Sequence, residues 1–119
     1  MELFSKIVLV AFLATAWDPN APVAVPHGFL TGSGYLQLPD AARHGYGMGL
    51  LDGIFLSPIL GADGEGVQRL KDCTLPMNSE QITAIFEKYL RDNPEIWHYD
   101  AQILFWQALL RACPQVVPR

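Results

Sequence analysis

The clearest periodicity lies in the last third of the chain. Ile82, Ile85, Phe86, Tyr89 and Leu90 recur at i, i+3, i+4, i+7 and i+8, one apolar stripe of an amphipathic helix. Asn78 or Ser79 supplies its N-cap, with Gln81 three residues after Asn78 as in a capping box, and Asn93-Pro94 stops it. A second helix is predicted from about Tyr99 to Ala112. Ala101, Leu104, Phe105, Ala108, Leu109 and Ala112 form one stripe, and Ile103, Trp106 and Leu110 form another. A helix apolar on nearly all sides is central in a bundle or part of an interface. Ile103, Trp106 and Leu110 are therefore the candidate dimer face.

Upstream, the pattern is weaker. Thr31-Gly32-Ser33-Gly34 reads as a turn or helix start, and Tyr35 to Leu38 as one helical turn. Pro39-Asp40 opens a helix from Ala41 to about Leu60, which Pro58 kinks or ends. Within it Gly45, Gly49 and Gly53 recur every four residues on one face. Each costs up to about 1 kcal/mol of helix propensity, so tight packing against another backbone is the expected compensation. The same spacing marks membrane helix dimers, but Arg43, His44 and Asp52 argue against a span. Gly61 to Asp72, with three glycines and mixed charge, reads as an exposed, mobile loop. The fold expected is all-α, a small bundle of about four helices with a C-terminal helical hairpin.

The N-terminus changes how the composition is read. Of the 119 residues, 50% are apolar and 17% charged, which excludes a disordered chain. Ile7 to Ala14 is an unbroken apolar run after Lys6, followed by Ala14-Thr15-Ala16, the layout of a secretory signal peptide. The run is too short for a membrane span, which needs about 20 residues. The alternative is a retained anchor or core segment. On this reading residues 1–16 are the signal peptide, 17–28 a proline-containing extended linker, 29–114 the domain and 115–119 a tail. No membrane span then remains after cleavage. Net charge is −4, and the basic residues are scattered, which argues against nucleic acid.

Export also decides the reading of the two cysteines. In an oxidising compartment an even count favours a disulfide. Cys73 precedes the first C-terminal helix and Cys113 follows the second, so an antiparallel hairpin brings them together at its open end. The 40-residue loop is worth roughly 4 kcal/mol by the chain-entropy argument. A metal pair is disfavoured, since no C-x-x-C spacing or nearby His cluster is present.

Chemistry is sparse. No G-x-S-x-G, H-E-x-x-H or P-loop motif occurs, and His27, His44 and His98 are far apart. Asp52, with Arg43 or His44 as partner or facing solvent, lacks a second acid or base for catalysis. Trp97, Tyr99, Trp106 and Phe105 read as an aromatic cluster, in the core or at an interface. No catalytic residue, metal or cofactor is assigned.

The order of motifs carries a resemblance. Phe29-Leu30-Thr31-Gly32, Tyr46-Gly47-Met48-Gly49 with Gly53, Cys73-Thr74-Leu75-Pro76, Lys88-Tyr89-Leu90, Asn93-Pro94-Glu95, His98 and Ala112-Cys113-Pro114 resemble the Rap/Tai family of type VI secretion immunity proteins. The likeness covers roughly Gly28 to Pro114. It implies a periplasmic, mostly helical, disulfide-bonded, non-catalytic protein that acts as a homodimer. Its partner would be a peptidoglycan amidase toxin, which it binds and neutralises. The toxin contacts are placed on the Gly61–Asp72 loop, with Asp63, Glu65, Arg69 and Lys71 at its tip. The alternative is a periplasmic chaperone or assembly partner that holds its client on Ile103, Trp106 and Leu110. A small hydrolase using Asp52 and His44 is a third reading.

Overall fold

The computed structural model describes residues 18, 20–22 and 28–118. The signal-peptide reading of residues 1–16, most of the linker, and His27 lie outside the described residues. Asp18 opens a short turn, its carboxylate accepting from Asn20 N–H at 2.9 Å.

The described chain is all-α. It comprises α1 (Gly32–Leu36), α2 (Asp40–Leu56), α3 (Gly64–Thr74), α4 (Ser79–Asp92) and α5 (Ala101–Ala112). Short 3-10 turns follow α2, α4 and α5, at Ser57–Leu60, Pro94–Ile96 and Pro114–Val116.

α4 and α5 form the expected antiparallel hairpin. Asn78 caps α4, its Oδ1 accepting from Gln81 N–H at 2.8 Å, and satisfies one of the free donors of the first turn. The faces that meet are Ile82, Phe86 and Leu90 on α4 and Leu104, Phe105, Ala108 and Leu109 on α5, all buried. The Trp97 indole N–H donates to Leu90 carbonyl at 2.6 Å and ties the connection back onto α4.

α1 locks against that connection. Thr31 caps it through Oγ1, which accepts from Gly34 N–H at 3.1 Å. Gly32 N–H and Ser33 N–H donate to the carbonyls of Tyr99 and Trp97, and Ala101 N–H donates to Leu30 carbonyl. A Cβ on Gly32 would stand 2.8 Å from Leu104 Cδ1 and 3.3 Å from Trp97 Cα, so this close approach requires glycine. Tyr35, one turn on, is the centre of the core. Its ring lies 4.5 Å from Phe86, which meets Phe105 edge-on at 5.2 Å.

Four expectations are corrected. Gly61–Asp72 is not a loop: from Gly64 it is a helix. Asp63 caps it by accepting from Glu65 N–H at 3.1 Å, and Val67, Leu70 and Thr74 form a buried stripe. Tertiary burial of that stripe overrides the helix-weakening Gly64 and Gly66, while Gly61 stays outside the helix in the turn before it. Cys73 consequently lies in the last turn of α3 rather than between elements. The tail does not begin at residue 115, because Val116 is buried and its carbonyl accepts from Arg69 Nε–H at 2.9 Å. Nor do the four aromatics cluster. Phe105 points into the core, Trp106 is half-buried, Tyr99 is exposed, and Trp97 covers the end of α4.

The fourth correction concerns Gly45, Gly49 and Gly53. They share a face as predicted, but a Cβ at any of them would meet no atom of a described residue within 4 Å. Among the described residues no backbone packs on this stripe, and all three are exposed.

The disulfide is present. Cys73 and Cys113 are joined with Cα atoms 6.1 Å apart and a separation of 40 residues. It ties α3, just before α4, to the end of α5, closing the open end of the hairpin.

Candidate partner-binding surface

The corner where α2 passes into α3 exposes large apolar side chains that a folded monomer has no reason to display together. Pro58 in the second position of the 3-10 turn ends α2, and Gly61, at φ +99°, turns the chain toward α3. The turn leaves Leu56, Ile59 and Leu60 at 57%, 78% and 87% exposure. Exposed apolar residues grouped in this way mark interaction surfaces.

Beside this corner stand the residues placed at the loop tip. Asp63, Glu65 and Lys71 are exposed and lie on α3 or its cap, so a rigid helix presents them. Lys71 Nζ sits over the Phe55 ring, 5.4 Å from its centre. Arg69 is set apart from them. It is partly buried, bonded to Val116 carbonyl, with Nη2 3.7 Å from an Asp63 carboxylate oxygen.

Behind the corner runs an open apolar groove of about 590 Å³. One wall is α2 (Gly49, Leu50, Gly53, Ile54), another is α3 (Val67, Arg69), and the third is Trp106 with Val116, Val117 and Pro118. Periodicity placed the glycines on one face. It gave no sign that the face borders a groove, because the walls come from four distant stretches of chain.

The candidate dimer face is divided by the fold. Ile103 is 49% exposed, while Trp106 and Leu110 are half-buried and pack against the core. Trp106 lines the groove. Ile103 is not among the residues that line it.

The polar side chains at the other end of α2 are occupied structurally. His44 Nε2 lies 2.7 Å from Ser79 Oγ, and its Nδ1 lies 3.4 Å from Thr83 Oγ1. Arg43 pairs with Asp40 and with Glu87, the latter at 3.1 Å, and Glu87 also meets Arg91 at 3.3 Å. Asp52 is exposed and faces solvent. Among the described residues no hydrogen bond or ion pair joins it to Arg43 or His44, so the structure does not assemble an Asp52–His44 pair. Burial, and then the charge of Glu87, push the Tyr35 hydroxyl up to about 12. That hydroxyl has no hydrogen-bond partner among the described residues. Burial also raises Tyr46, with Asp100 adding to the shift.

Among the described residues no group of three or more His, Cys, Asp or Glu side chains is placed to hold a metal ion. None of the described helices is long and apolar enough to cross a membrane. Compared with protein-family models, with curated proteins and with solved structures, the chain matches none.

Proposed function

We propose that this chain is a periplasmic immunity protein of the Rap/Tai type, one that binds and neutralises a peptidoglycan amidase effector of type VI secretion. The observation that carries a binding role is the α2–α3 corner. Leu56, Ile59 and Leu60 are exposed together, and Asp63, Glu65 and Lys71 flank them. An apolar centre with a charged rim is the anatomy of a protein-docking surface. The disulfide is compatible with an oxidising, extracytoplasmic setting, and the motif order from Gly28 to Pro114 supports the family reading.

On this reading the protein is non-catalytic and works as a homodimer. The corner carries the toxin contacts, and α3 sets their spacing. Titration calorimetry of the chain from residue 17 against the amidase effectors of its own genome tests it. Tight one-to-one binding, together with protection of cells that produce the effector, is expected. Leu60→Asp should weaken binding at least tenfold, as loss of a central apolar contact does. Failure to bind or protect against every such effector sinks the immunity reading.

A further inference from the structure

We propose that the groove between α2, α3 and the C-terminal segment is a binding site for a long-chain carboxylate. The apolar tail would lie over Gly53, Ile54, Val67 and Trp106, and the head on the Arg69 guanidinium. This goes beyond the toxin-binding reading and does not depend on it.

The groove's 590 Å³ falls in the range of small-molecule sites, and a slender acyl chain fits lengthwise in a site of that size. The floor suits it, because Gly49 and Gly53 carry no Cβ and, among the described residues, nothing else comes within 4 Å of where one would stand. The two polar side chains that accompany Arg69 on the lining are Ser57 and Asp63. Ser57 is turned away from the role, its hydroxyl donating to Ile54 carbonyl at 2.6 Å.

The charge selects the head group. Among the described residues Arg69 is the one cation on the lining. Its Nε–H is fixed on Val116 carbonyl at 2.9 Å, which holds the planar guanidinium in place. The terminal nitrogens keep donors to spare. Their nearest carboxylate, Asp63, stands 3.7 Å away, beyond hydrogen-bond reach, and its side chain is 69% exposed. Such a solvent-screened pair is weak. A bound carboxylate would replace it with two parallel hydrogen bonds.

Dodecanoate, below its micelle-forming concentration, is the probe, titrated by calorimetry and by tryptophan fluorescence. The expected result is saturable one-to-one binding, with dodecyltrimethylammonium binding roughly tenfold more weakly because the cationic head meets Arg69. Gly53→Leu places a side chain in open space on a helix that tolerates it, so the fold stays and binding is lost. Asp63→Asn keeps the cap of α3 and removes the competing carboxylate, so affinity rises. Arg69→Gln abolishes the preference for the anionic surfactant. No saturable binding, equal binding of both surfactants, or binding unchanged in Gly53→Leu each overturns the proposal. So does a protein that is dimeric at the titration concentration and regains dodecanoate binding only on dilution, which would make a second copy the occupant.

Discussion

The α4–α5 hairpin and the α2–α3 side are built from helices of similar length, yet they spend their side chains differently. Along the hairpin the two apolar stripes face each other and bury Ile82, Phe86, Leu90, Leu104, Phe105 and Leu109. α2 has 17 residues, and only Gly47 and Leu51 among them are fully buried. Its glycine face is open, and its end exposes Leu56. The hairpin's sequence is explained by the fold it makes. The glycines and exposed leucines of the other side are not, since the glycines cost helix stability and the leucines leave apolar surface in water that folding does not bury. A surface kept open at such a cost is the expected property of one that receives a partner or ligand.

The largest expected effect tests what joins the two regions. The disulfide links α3 to the end of α5. Reducing it, or replacing both cysteines by alanine, should cost about 4 kcal/mol by the chain-entropy argument for a loop of this length. Urea unfolding with and without reductant measures this. Hydrogen exchange then sharpens the comparison, because α3 is expected to lose protection before α4 and α5 do. A loss below about 1 kcal/mol would mean that the bridge is not what holds α3 to the hairpin, and exchange that rises first in the hairpin would mean that the hairpin is not the more self-sufficient region.

Glycine substitutions should change sign between the side where Gly32 of α1 packs against the hairpin and the α2 face. Alanine at Gly32 drives a Cβ to 2.8 Å from Leu104 Cδ1, 3.1 Å from Leu90 Cδ2 and 3.3 Å from the backbone of Trp97. Overpacking of this kind costs about 2 kcal/mol. Alanine at Gly49 or Gly53 meets no described residue and should gain up to about 1 kcal/mol each through helix propensity. Thermal melts of the single variants give both signs directly. If Gly53→Ala lowers the melting temperature, the α2 face is covered in solution and is not open.

What the sequence made legible follows the same division. Ile82 to Leu90 and Ala101 to Leu109 repeat strongly enough to specify helices, and Asn78 marks where the first begins. The hairpin then brought Cys73 and Cys113 together by simple geometry. α3 was illegible because Gly61, Gly64 and Gly66 crowd its start, and its buried stripe is short and ends in Thr74. The fate of the glycine face was illegible for a different reason. Period places Gly45, Gly49 and Gly53 together, but only tertiary structure decides what stands opposite them. Arg69, Trp106 and Val116 meet at the groove from three separate stretches of chain, which no local pattern records. Tyr35 was missed as the centre of the core because α1 is only five residues long, too short to show a period.

The smallest effect at neutral pH concerns that tyrosine, and it probes the core which the two regions share. Tyr35 is fully buried against Phe86 and Tyr46, and its hydroxyl makes no hydrogen bond among the described residues. Tyr35→Phe therefore removes a buried polar group without breaking a bond, and stability at pH 7 should change by less than about 1 kcal/mol. The difference appears in alkali. Tyrosine ionises near 10 when unfolded, and Tyr35 is pushed up to about 12 in the fold. Between those values the unfolded chain releases its proton first, so stability that is fully present below pH 10 is lost as pH rises through 12. The phenylalanine variant lacks this contribution. Its urea midpoint should fall less steeply above pH 10, with a residual fall from Tyr46, which is raised in the same direction. A variant that loses more than about 2 kcal/mol at pH 7 would show that the hydroxyl is held by a strong bond. The core would then be fixed by polar contacts as well as by the packing of the hairpin onto α1 and α2.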